Sequence, residues 1–150
     1  MKRLILVVLF GFCASLAGAQ GLELPPIFAS GMVLQQQAGV ELWGKARPGA
    51  RVRVRASWTK ARPETVADDR GRWSVSLRTP EAGYESRTLT VESGRERLEL
   101  TDVLIGDVWF VGGQSNMQMS FRGNPDQPIE NAQRILLRSN RPGIRLFRVE

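Results

Sequence analysis

Gly112-Gly113-Gln114-Ser115-Asn116-Met117 follows directly on the apolar run Asp107-Val108-Trp109-Phe110-Val111. A serine presented at the carboxyl end of a strand projects into the crevice where open α/β sheets bind their ligands. Ser115 therefore stands where a nucleophile would be useful. A serine hydroxyl attacks only when a neighbouring base, usually histidine, removes its proton, and the chain contains no histidine. Lysine is an alternative base, but outside the amino-terminal segment only Lys45 and Lys60 occur, both in a region that reads as β-sheet. The residues thus supply one half of a mechanism. Taken alone, a serine after two glycines is a turn residue, and the apolar run ahead of it is what gives the motif chemical interest. Two rival motifs fail: Met117 stands where the α/β-hydrolase elbow needs glycine, and no Gly-Lys-Ser or Gly-Lys-Thr follows the glycines as a phosphate loop requires.

The elements that must position Ser115 are mostly strands. From residue 22 to about 104, short β-branched and aromatic runs alternate with glycine, proline and acidic clusters, the pattern of an antiparallel β-sandwich. Strands are predicted at 31–35, 40–43, 51–58, 73–77, 89–91 and 98–100, with turns at Pro48-Gly49, Asp68-Asp69-Arg70-Gly71 and Ser93-Gly94-Arg95. Arg51, Arg53 and Arg55 share one face of the third run while Val52, Val54 and Ala56 share the other. The arginines read as a solvated outer face rather than an anion-binding row. Beyond residue 105 the character changes. A strand at 107–111, a helix over 130–138 and a strand at 144–149 compose one β-α-β unit of the kind found in parallel sheets. Because parallel sheets are buried on both faces, a single unit is expected to be part of a larger domain.

Composition narrows the class. The chain has 150 residues, 42% of them hydrophobic, enough for a packed core. Residues 1–19 read as a cleaved signal peptide: Lys2 and Arg3 open it, an apolar run over 4–12 follows, and Ala17-Gly18-Ala19 offers a small-residue cleavage site. The expected location is therefore exported, periplasmic or extracellular, with no membrane attachment after cleavage. The sole cysteine, Cys13, lies in that segment, so the mature chain has neither disulfide nor thiolate metal site. Lys2 and Arg3 carry two charges of the formal net +6, and the remaining charges are interspersed, which gives no footprint for nucleic acid. Trp43, Trp58, Trp73 and Trp109 read as core rather than sugar platforms, and Met117 and Met119 as packing residues. Asp68, Asp69, Asp107 and Asp126 are scattered, so neither metal nor cofactor is expected.

Met32-Val33-Leu34-Gln35, Trp43-Gly44 with Pro48-Gly49, Asp69-Arg70-Gly71-Arg72-Trp73, Gly106-Asp107-Val108-Trp109 and Gly113-Gln114-Ser115-Asn116-Met117 occur in that order. Together with Pro142-Gly143-Ile144-Arg145-Leu146-Phe147 they resemble the sialate O-acetylesterase family. The resemblance implies a mainly β chain: a signal peptide at 1–19, an antiparallel β-sandwich at 20–104, and at 105–150 the first β-α-β unit of a truncated SGNH-type α/β esterase domain. It implies that Ser115 is the nucleophile, with its own backbone N–H as an oxyanion donor, and that the glycines at 112 and 113 let the backbone turn sharply. The implied partner is an acetylated sialic acid or another acetylated carbohydrate. Gln114 replaces the aspartate that many SGNH enzymes carry before the serine. The family's aspartate and histidine would lie downstream, so these 150 residues alone are expected to have little or no esterase activity. A non-catalytic module that binds carbohydrate or docks another domain is the alternative. The oligomeric state is left open.

Overall fold

The computed structural model describes residues 21–117, 119–123 and 126–149. The expected signal peptide at 1–19, with Cys13, lies outside the described residues. The strands are β1 (Val33–Gln35), β2 (Gly39–Lys45), β3 (Arg51–Ala56), β4 (Glu64–Val66), β5 (Arg72–Arg78), β6 (Gly83–Ser93) and β7 (Glu96–Gly106). One helix, α1 (Ala132–Leu137), follows them. The strands form a five-stranded sheet in the order β1-β7-β6-β3-β4 and a two-stranded sheet of β2 and β5. The chain is mainly β, and among the described residues no helix is long and apolar enough to cross a membrane.

Period-two alternation builds the core. Val52, Val54 and Ala56 of β3 and Trp73, Val75 and Leu77 of β5 are buried, with polar residues between them facing out. Leu42 of β2, Leu89 and Val91 of β6, and Leu100, Val103 and Ile105 of β7 join the same buried cluster. The two sheets thus bury their apolar faces in a common core. Each fully buried valine or leucine contributes about 1.5–3 kcal/mol relative to exposure. Turn chemistry closes the strands: Gly49, Gly71 and Gly94 adopt φ of 71°, 75° and 60° at the three expected turns. Asp68 completes the second of these by accepting the amides of Arg70 and Arg72 at 2.9 and 2.8 Å.

Cross-strand carboxylates neutralise the arginine row of β3. Glu64, directly opposite Arg53, accepts from Arg51 at 2.9 Å and from Arg53 at 3.0 Å, and Glu92 pairs with Arg55. The hydrogen bond from Arg53, then the charge of Arg51, hold the Glu64 carboxyl below its ordinary pKa. Asp68 is lowered first by the Arg72 amide and further by the Arg72 guanidinium. A carboxyl whose folded pKa lies below its unfolded value stabilises the fold above the unfolded pKa, and that contribution vanishes as pH falls through the folded pKa. Both groups are exposed, so the effect is small. The double variant Glu64→Gln/Asp68→Asn is expected to melt slightly below the native chain at neutral pH. The gap should narrow as pH falls below the ordinary carboxylate range, as scanning calorimetry across that interval would show.

Four expectations need correction. The larger sheet is not wholly antiparallel: β1 runs parallel to β7, with Val33 opposite Leu104 and Gln35 opposite Gly106. Strand β4 is an additional edge, formed because Glu64–Val66 finds its ladder on β3. Residues 107–111 and 144–149 carry no strand pairing, so the β-α-β unit is not formed. The physical reason is that a strand exists only through its neighbours, and no described strand pairs its backbone with either run. Val108, Trp109, Phe110 and Val111 are 54, 83, 96 and 67% exposed, against the 0% of Val52 and Val54 in the core. The helix is shorter than expected, six residues rather than nine, and buries none of them.

Candidate functional site

Ser115 is reached from β7 through a stem of residues 106–113. The stem is tied at its base to the turn that follows β1. The Gln36 amide donates to the Gly106 carbonyl at 2.8 Å, Gln36 Nε2 donates to Asp107 Oδ1 at 2.9 Å, and the Val108 amide donates to Gln35 Oε1 at 2.9 Å. Beyond these bonds the chain runs exposed to a single 3-10 turn, Ser115–Met117. That turn is closed by the Met117 amide on the Gln114 carbonyl at 2.9 Å. Ser115 is its first residue and is exposed, as is Gln114.

Gly113 meets a steric demand that the sequence did not show. Neither Gly112 nor Gly113 adopts positive φ, so the backbone turn does not require them for conformational freedom. A Cβ on Gly113 would instead lie 2.5 Å from Met117 Cγ, closer than carbon atoms approach without displacement. Gly113 thus lets the Met117 side chain fold back over the segment that carries Ser115.

The structure separates the other candidates. Lys45 ends β2 and Lys60 lies in the loop between β3 and β4. Among the described residues, no three Asp, Glu, His or Cys side chains come together as metal ligands would. Trp73 of β5 is buried, and Trp58, half-buried in the turn after β3, packs against the core, so the core reading holds for these two. Trp43 is 46% exposed, its ring edge-on to Phe28 at 4.5 Å, and Trp109 is 83% exposed. The core reading therefore fails for Trp109, whose run has no sheet to bury it. Met117 is also exposed, at 52%. Two surface depressions, of about 440 and 530 Å³, are lined by Arg55, Thr59, Lys60 and Arg62 and by Leu22, Phe28 and Leu98 respectively, and Ser115 lines neither. The contribution of Gln35 and Gln36 was missed by sequence reasoning, although the run Met32-Val33-Leu34-Gln35 stood out as a motif.

No family model matches the chain. The sialate O-acetylesterases of Homo sapiens and Pongo abelii are each 36% identical to it over 104 residues, and that of Mus musculus is 34% identical over 97. The chain resembles sialate O-acetylesterases. The alignments cover 59% of this chain and 18% of each of these enzymes, so the chain spans about a fifth of the sialate O-acetylesterases it matches. A solved carbohydrate acetylesterase from Xanthomonas citri shares the fold with a TM-score of 0.62 at 35% identity, over 71% of this chain and 24% of that one. Sequence and fold therefore point to one group of proteins, the acetylesterases.

Proposed function

We propose that the chain is the amino-terminal part of an exported serine esterase that removes O-acetyl groups from sialic acid or a related carbohydrate. Residues 1–19 direct export, 20–104 form a β-sandwich domain, and 105–150 open an SGNH-type catalytic domain. The observation that carries this reading is the double similarity to acetylesterases, in sequence at 34–36% identity and in fold at a TM-score of 0.62. Ser115 Oγ attacks the acetyl carbonyl carbon, and its proton passes to a base outside these residues. The tetrahedral oxyanion is met by the Ser115 amide. Collapse breaks the bond to the sugar oxygen, which takes the proton and leaves as a hydroxyl. Water then adds to the acetyl-enzyme, and acetate departs as Ser115 regains its proton. Removing one oxyanion donor typically costs about 3 kcal/mol of transition-state stabilisation. The chemistry asks for no cofactor.

The exposure of Ser115 and its place outside both surface depressions favour a second reading, a non-catalytic module that binds carbohydrate or docks another domain. Acetate release separates the two. The chain extended downstream is expected to liberate acetate from an O-acetylated sialoside or an O-acetylated plant-type oligosaccharide, and the preferred sugar names the substrate. The 150 residues alone are expected to release little or none. Binding of the sugar by the extended chain with no acetate released would overturn the esterase reading and support the module.

A further inference from the structure

We propose that Gln35 and Gln36 are positioning residues that fix the direction in which the Ser115 stem leaves β7; the catalytic part of this proposal rests on the esterase reading. The two side chains lie 71 and 73 residues from the stem groups they hold, on the successive residues Asp107 and Val108. Gln36 reaches Asp107 Oδ1 with its amide nitrogen at 2.9 Å, while its Oε1 accepts the Ala82 amide at 3.0 Å. Gln35 Oε1 accepts the Val108 amide at 2.9 Å. The end of β1 and the turn after it, which carry the two glutamines, are themselves braced from below. Thr79, only 3% exposed, donates to the Gln35 carbonyl at 2.6 Å and accepts the Ala38 amide at 3.0 Å, and the Gln37 amide donates to the Pro80 carbonyl at 2.9 Å.

This network stands in for the strand ladder that residues 107 and 108 lack. With the Asp107 carboxylate and the Val108 amide held by side-chain amides, the remaining residues to Ser115 start from a defined direction. A nucleophile misplaced by about 1 Å loses roughly a hundredfold in rate, so the direction matters far from the hydroxyl. The donor and acceptor roles are specific. At position 36 a glutamate still accepts from Ala82 but turns a second carboxylate toward Asp107, and asparagine at 107 then restores a donor to it.

Hydrogen exchange on the 150-residue chain tests the clamp without any catalysis. In Gln35→Ala the Val108 amide loses its acceptor and is expected to exchange roughly three- to tenfold faster, whereas Gln35→Glu keeps the acceptor and the native rate. Gln36→Glu is expected to speed exchange at Val108, and Gln36→Glu/Asp107→Asn to restore it. Core amides such as Val91 serve as the control for folding in every variant. Unchanged Val108 exchange in Gln35→Ala, or no rescue by the reciprocal pair, overturns the clamp. Turnover of an aryl acetate by the extended chain then tests positioning: kcat should fall in Gln36→Glu, KM should hold, and the reciprocal pair should recover kcat. An unchanged kcat with altered exchange overturns positioning alone. Altered exchange in an extended chain that releases no acetate even with native glutamines leaves the clamp standing and removes the esterase reading.

Discussion

Ser115→Ala, made in the chain extended downstream, is expected to lower acetate release from an O-acetylated sugar by about 10⁴-fold or more, the scale on which serine hydrolases lose turnover with their nucleophile. Its melting temperature should not move. Ser115 is exposed and belongs to no part of the buried cluster, and surface substitutions of that kind stay within about 0.5 kcal/mol. Calorimetry beside the acetate assay separates loss of chemistry from loss of fold. Water attacking the ester without the covalent step would leave a much smaller deficit, and a deficit below about tenfold would place the nucleophile elsewhere.

Gly44→Ala is expected to have the largest effect on stability. An alanine Cβ there would lie 2.2 Å from the Glu23 carbonyl oxygen and 2.9 Å from Trp73 Cζ2. Neither neighbour yields easily. Glu23 is bonded both ways to Lys45, amide to carbonyl at 2.8 Å and carbonyl to amide at 2.9 Å, and Trp73 is buried in the core with 3% exposure. Relief requires breaking the bridge and shifting the indole, at about 2–4 kcal/mol for overpacking with a lost hydrogen bond. Denaturant titration should show the midpoint fall with an unchanged slope. Gly49→Ala is the contrast: it meets nothing within 4 Å, and its cost comes only from φ of 71°, on the order of 1 kcal/mol.

The same comparison shows what the sequence could disclose. Strands β3 and β5 were readable because each alternates one residue in with one residue out, Arg-Val in the first and Trp-Ser-Val-Ser-Leu in the second. The β6–β7 hairpin was readable from Gly94 between two apolar runs. Short β4 was not, since Glu64-Thr65-Val66 has no period of its own and exists through Arg53 opposite Glu64. The parallel pairing of β1 with β7 joins residues about 70 positions apart, and no local pattern encodes such a partner. Residues 107–111 failed in the opposite sense. Their apolar run satisfies the composition of a buried strand, yet composition specifies a wish for neighbours and does not supply them.

At the candidate site, the order of stem, glycines and serine was legible, while the reasons for it were not. Gly113 reads as a turn glycine until Met117 is seen packed over it at 2.5 Å from its missing Cβ. Gln35 and Gln36 carry no periodicity and no charge, so only the fold reveals that they grip Asp107 and Val108. Trp43-Gly44 likewise stands out as a motif, but the reason for its glycine shows only when Glu23 is found crossing over it.

Covalent trapping tests the nucleophile most directly. The extended chain is treated with a fluorophosphonate, digested and mapped by mass spectrometry. A single phosphonyl adduct on Ser115, absent from Ser115→Ala and accompanied by loss of acetate release, is the expected result. An adduct on a different residue, or full acetate release with Ser115 unmodified, would contradict it.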